Sequence, residues 1–264
     1  MDNVTHSLLG LALAESGLKR HTRYATLTLV LGANLPDVDG FTYVFGNGID
    51  ALGFRRGWTH GLLAMAVLPF LLTALMLAWN RLRGPRSETA RQPIDRGWLL
   101  ALAAIGIVSH PLLDLLNTYG VRLLMPFSGR WFYGDALFIV DPWLWLVLGI
   151  GVLLTRFRTR RLASGPRSSA YRPARLALLA GATYTLLMAM SSALGARIVE
   201  TRSGNPGARR TMISPMFLTP LRRRVIRDFG GEYEVGELTF QPAARYRPIA
   251  RDPVGLDAPG ARQA

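Results

Sequence analysis

The stretch SHPLLDLLNTYG places His110 and Asp114 four residues apart near the end of an apolar run. On a helix they share a face, so an imidazole and a carboxylate can reach one ion. Taken alone, the pair is better read as a neutral histidine hydrogen-bonded to an aspartate between packed helices. Ionisable groups inside an apolar run nevertheless point to function, because burying each costs on the order of 3 kcal/mol. Three further segments offer similar chemistry: His6 in DNVTHS, Asp37 and Asp39 in NLPDVDG, and His60 in RRGWTHG. Taken together, His6, Asp37, Asp39, His60, His110 and Asp114 form a mixed imidazole and carboxylate set. Such a set suits zinc, manganese or iron, with open positions for catalysis. Two ions sharing one carboxylate would also fit it. A bound ion brings the pKa of water to about 7 and so makes a hydroxide nucleophile without serine or cysteine.

Other chemistries lack their residues. Without cysteine there are no disulfides, thiolate zinc sites or thiol nucleophiles. No G-x-S-x-G elbow, H-E-x-x-H pair or Walker A loop occurs.

The elements that must position these residues follow from hydropathy. Half the residues are apolar, and mean hydropathy is +0.21. Runs at 61–79, 98–116 and 176–198 approach the ~20 residues that cross a bilayer. A fourth at 138–154 is somewhat short. Runs at 7–18 and 24–35 are shorter still and read as a tilted or re-entrant helical hairpin. Net charge is +14, and arginines crowd the loops at 80–97 and 155–175. That pattern favours cytoplasmic loops and anionic lipid over nucleic acid, and there is no aromatic interleaving of the stacking type. Lys19, Arg20 and Arg23 put the hairpin tip on the same side. His6, Asp37, Asp39, His60, His110 and Asp114 then fall on the opposite, extracytoplasmic face, with Asp135 and Asp141 beginning the next crossing. His21 falls among the basic residues and reads as surface. The first residues lack the basic start and cleavage site of a signal peptide.

The expected fold is therefore an all-α polytopic membrane protein of about four to six membrane helices, the first two short, with a small C-terminal β-hairpin segment. The membrane domain is expected at 1–198. An extracytoplasmic β-containing segment follows at 199–240, with a hairpin turning at Gly230 and Gly231. The Pro-, Ala-, Arg- and Gly-rich stretch 241–264 reads as disordered.

The motifs DNVTHSLLGLAL, GANLPDVD, RRGWTHG, SHPLLDLLNTYG and FIVDPW, in this order, resemble the YdjM-like family of bacterial inner-membrane proteins, which are described as metal-dependent hydrolases. The resemblance covers 1–142 and extends weakly into SPMFLTPLRRRVI. It implies a multi-pass inner-membrane protein. The ligand order is also faintly similar to that of zinc-dependent phospholipases C and P1-type nucleases. That likeness implies that Asp37 or Asp39, His60, His110 and Asp114 hold one ion, while His6, with Asp114 bridging, helps hold a second. The chain lacks the later histidine and H-x-x-x-E ligands of those enzymes and their N-terminal ligating tryptophan.

The reading that follows is a membrane hydrolase using one or two divalent ions, with zinc the first choice, on a phosphoester of a lipid or lipid-linked substrate. Arg55, Arg56 and Arg122 would hold phosphate oxygens. Asp39 or Asp141 would act as general base or orient the water. Thr59, Asn117 and Asp135 would support the site. The alternative is a non-enzymatic metal-binding membrane sensor, scaffold or transporter component. The partners expected are membrane lipids, with no nucleic acid.

Overall fold

The computed structural model describes residues 1–42, 54–83, 92–161, 167–203 and 207–253. Six helices form the body: α1 (Asn3–Glu15), α2 (Ala25–Asn34), α3 (Leu62–Leu82), α4 (Arg96–Leu115), α5 (Pro142–Arg161) and α6 (Arg172–Arg202). Three of these, α3, α4 and α6, are long and apolar enough to cross a membrane. The helix α5 covers the fourth apolar run and ends in Arg158, Arg160 and Arg161.

Packing runs α3–α4–α2–α1–α5–α6. The short helices therefore sit in the middle of the row. At 13 and 10 residues, they measure about 20 and 15 Å, well short of a ~30 Å hydrocarbon layer. A short helix with unpaired termini is tolerated at membrane depth when protein surrounds it. Here α4 flanks α2, and α5 and α6 flank α1.

Glycines permit the close approach. A Cβ on Gly106 of α4 would meet the Leu29 carbonyl of α2 at 2.9 Å, and one on Gly32 would meet the Ala103 carbonyl at 3.2 Å. This is the small-residue contact that lets membrane helices pack backbone to backbone. It seats Leu29, Leu99, Leu102, Ala103 and Ile107 in the core.

The basic end of the bundle is tied through Glu15. Its carboxylate meets Lys19 and accepts from Arg156 Nε at 3.1 Å, while Arg175 Nε donates to the Ser16 carbonyl at 2.8 Å. His21 stays exposed and stacks on Trp98, as its basic context suggests.

The C-terminal unit is a four-stranded antiparallel meander, β1 (Arg210–Met216), β2 (Thr219–Asp228), β3 (Glu232–Thr239) and β4 (Arg245–Pro253). The hairpin at Gly230 forms, with Gly230 at φ +85°. The disorder expected over 241–264 gives way to strand at 245–253, which pairs with β3. β4 is the terminal strand of the sheet, where proline is tolerated, and Pro248 sits where the register shifts against β3. Residues 254–264 lie outside the described residues.

The sheet closes on α6 through Val199, Ile213, Val225 and Leu238. Buried Arg223 of β2 donates to Ser192 Oγ at 2.7 Å and the Met188 carbonyl at 3.2 Å. The sheet also touches the loop 117–141 and the start of α5. Arg210 lies over the Tyr133 ring at 3.6 Å, and Trp143 Nε1 donates to the Leu218 carbonyl at 3.4 Å. The loop is thereby held between the sheet and the helix ends that carry the polar residues.

Candidate metal centre

Four segments meet at one end of the bundle. His110 and Asp114 come from the last turns of α4, one helical turn apart and both fully buried. Asp37 and Asp39 come from a 3-10 turn, Leu35–Phe41, that continues α2. His60 precedes α3, in a turn closed by the Gly61 amide donating to the Gly57 carbonyl at 2.7 Å. His6 comes from the first turns of α1, which Asp2 caps by accepting from the Val4 and Thr5 amides.

One ligand atom each from Asp37, His60, His110 and Asp114 lie within 4.8 Å of one another. His60 Nε2 and His110 Nε2 face each other at 3.0 Å. Asp114 Oδ2 lies 3.5 Å from His60 Nε2 and 3.7 Å from His110 Nε2. Asp37 Oδ1 lies 3.6 Å from His110 Nε2 and 4.0 Å from His60 Nε2. A tetrahedral ion with bonds of 2.0–2.1 Å would separate its ligand atoms by about 3.4 Å.

The hydrogen bonds behind the histidines decide what these atoms offer. His110 Nδ1 lies 2.7 Å from the Ala33 carbonyl, which can only accept, so Nδ1 carries the proton. His60 Nδ1 lies 2.9 Å from Thr59 Oγ1 and 3.3 Å from Asp39 Oδ2. Thr59 spends its own proton on Asp39 Oδ2 at 2.8 Å, so His60 Nδ1 is a donor as well. Each neutral ring then presents a lone pair at Nε2. Two lone pairs and two carboxylate oxygens converge at contact distance, and a cation between them satisfies all four.

The electrostatics agree. Burial pushes His60 down, against the Asp39 hydrogen bond, favouring the neutral ligating form. Asp37 is the part-exposed member of the four, so the site opens on its side.

Asp114 uses its other oxygen differently. Oδ1 lies 3.4 Å from His6 Nε2 and touches the Met1 amino group. The His6 ring stacks on His110 at 3.8 Å. Both His6 nitrogens are buried without a hydrogen-bond partner among the described residues. Asp114 thus faces the four-atom cluster with one oxygen and His6 with the other.

The remaining predicted residues spread over several roles. Asp39 stands behind His60, accepting from it, from Thr59 and from the Arg56 amide at 2.8 Å. Burial raises its pKa, and these donors bring it below its ordinary value. Arg56 is buried, at φ +56°, and donates to Asn117 Oδ1 and the Gly120 carbonyl, both at 3.1 Å. Its Nη2 lies 3.6 Å from Asp114 Oδ2. Asn117 Nδ2 lies 3.5 Å from Asp114 Oδ1. Arg122 donates to the Arg55 carbonyl at 3.1 Å and lies over the Trp131 ring. Asp39, Thr59, Arg56 and Asn117 are thus brought to the site, whereas Arg122 and Arg55 contact each other, Arg55 being next to Arg56 in sequence.

Asp141 and Asp135 are not brought to it. Asp141 accepts from the Leu144 amide at 3.0 Å, opening α5, and from Tyr184 at 2.9 Å. Asp135 faces the sheet, 4.0 Å from Arg210. Sequence reasoning missed the Ala33 carbonyl, because a main-chain acceptor leaves no residue-type signal.

The family model described as YdjM inner membrane protein matches residues 1–197. The chain belongs to the YdjM inner membrane protein family. The match contains all six helices except the last few residues of α6, and every ligand of the cluster. Inner membrane protein YbcI of Escherichia coli (strain K12) is 28% identical over 49% of this chain and 70% of its own length. Uncharacterized protein YfhP of Bacillus subtilis (strain 168) is 24% identical over 55% of this chain, which spans 43% of YfhP. No solved structure matches.

Proposed function

We propose that this family member is a metal-dependent hydrolase of the inner membrane, acting on a phosphoester of a lipid or lipid-linked substrate. The carrying observation is the pair of Nε2 lone pairs facing each other at 3.0 Å between two carboxylates. Asp37, His60, His110 and Asp114 would hold one divalent ion, and His6 with Asp114 Oδ1 would help hold a second. The donor set favours zinc. Such an ion supplies water ionised near neutral pH and a positive charge for a phosphoryl oxygen.

The chain's own residues do the rest. Asp39 and the Ala33 carbonyl fix the tautomers and ring orientations of His60 and His110. Asp39 is spent on this task, so Asp37, the part-exposed carboxylate, is the ligand that would yield its position to water and take the proton. Arg56 places its guanidinium beside Asp114, where it offsets carboxylate charge and would meet a phosphoryl group held at the ion. Arg55 and Arg122, which contact each other, would hold further phosphate oxygens. The arginine-rich loops at the opposite end support a site on the extracytoplasmic side. A site at headgroup depth meets lipid phosphoesters first. Purified protein assayed with phospholipids, with and without chelator, tests the chemistry. The reading expects turnover that chelation abolishes and metal restores. Bound metal with no hydrolysis of any phosphoester would favour a sensor or scaffold.

A further inference from the structure

Beside the metal centre, the bundle leaves an apolar groove of about 480 Å³. Leu9 of α1, Leu113 and Leu116 at the end of α4, Leu144 and Leu148 of α5, and a strip of α6 from Leu178 to Ala189 form its walls. Along α6, Gly181, Ala182, Thr185 and Ala189 keep this strip low.

The groove's position narrows what can fill it. From Leu178 to Ala189 the helix rises about 16 Å, half of a ~30 Å hydrocarbon layer, which is the depth one lipid chain occupies. One wall is α6, a helix long and apolar enough to cross the membrane. Inside a bilayer the apolar occupant at hand is a lipid chain. The polar end lies at the metal centre: Leu113 precedes Asp114, and Leu9 follows His6 by one turn. Leu9, Leu113 and Leu116 also pack on buried Met1, which itself touches Asp114. One layer of side chains separates groove from ligand.

We infer that this groove holds one acyl chain of the phosphoester substrate. The inference rests on the hydrolase reading above. It makes the enzyme one that extracts its substrate laterally from the bilayer and measures the chain as well as the headgroup.

The test uses full-length protein in nanodiscs of phosphatidylethanolamine and phosphatidylglycerol, with a trace of phospholipid carrying a mid-chain diazirine. After illumination, labelled residues are mapped by mass spectrometry. The expected result is label concentrated on Leu148, Leu178 and the 181–189 strip. It falls several-fold in Thr185→Trp and in Ala182→Phe, and is unchanged in Thr185→Val, with metal content equal in all. Label spread evenly over the outward leucines Leu176, Leu179, Leu187 and Leu194, and indifferent to the bulky variants, would overturn the inference. A second arm compares kcat/KM for a long-chain and a short-chain phosphoester. Thr185→Trp should depress only the long-chain value, and an equal fall in both would also overturn it. The crosslink reads no turnover, so absent hydrolysis counts against the hydrolase reading and even labelling counts against the groove.

Discussion

Asp39→Asn separates a residue that orients a ligand from a ligand. In the wild type, Asp39 Oδ2 takes three donors: the Arg56 amide, Thr59 Oγ1 and, at 3.3 Å, His60 Nδ1. An asparagine fills the same volume but turns one oxygen into an NH₂ donor. If that group faces His60, Nδ1 must accept and the proton moves to Nε2, the atom 3.0 Å from His110 Nε2. The lone pair aimed at the ion is then lost. Removing a carboxylate behind a ligating histidine typically weakens metal affinity 10- to 100-fold, about 1.4–2.8 kcal/mol. The measurement is zinc affinity by competition with a chelating dye in detergent. Asp39→Asn should bind 10- to 100-fold more weakly, while His110→Ala loses binding outright. Affinity equal to wild type would show that Asp39 does not govern His60. Complete loss, equal to His110→Ala, would make Asp39 a ligand and overturn its placement behind the ring.

Two further outcomes follow from the helices and the loop. Gly106→Val pushes a side chain into the Leu29 carbonyl, which a Cβ alone would meet at 2.9 Å, and parts α2 from α4. It should lower Tm by several degrees and weaken zinc binding by moving the Ala33 carbonyl off His110, whereas Gly149→Ala, with open space around it, should change neither. Asp135→Asn tests the buried loop carboxyl. Burial lifts the Asp135 pKa to about 6, against the pull of Arg210, so the folded protein holds this proton more tightly than the unfolded chain does. The associated stability is full below about pH 4 and is lost as pH rises to 6. Asn keeps the neutral shape and accepts the φ of +48°. Tm of the variant should match wild type near pH 4 and exceed it at pH 7, and equal Tm at both values would refute the burial argument.

Much of the site was legible because its residues lie in helical or motif spacing. His110 and Asp114 are i, i+4, and the arginine map put His6, Asp37 and His60 at the same end of the bundle. What spacing does not say is which of Asp37 and Asp39 faces inward. In a 3-10 turn of three residues per turn, positions two apart point to different sides, so one carboxylate reaches the cluster and the other goes behind His60. Asp141 resembled a site residue by its place at the head of a crossing, but its carboxylate is taken by the Leu144 amide and Tyr184. The first two helices were legible as short, and they run 13 and 10 residues. That neighbours on both sides would shield them is a packing fact, carried by Gly32 and Gly106. The strand at 245–253 escaped because its composition is that of a linker, and its order comes from pairing with β3.

Metal content of the purified protein tests the central claim most directly. Wild type loaded with zinc and freed of excess should retain one or two ions per chain by elemental analysis. His110→Ala and Asp114→Ala, prepared in parallel, should retain little or none. Equal content in all three proteins, or none in the wild type, would contradict a metal centre built on this cluster.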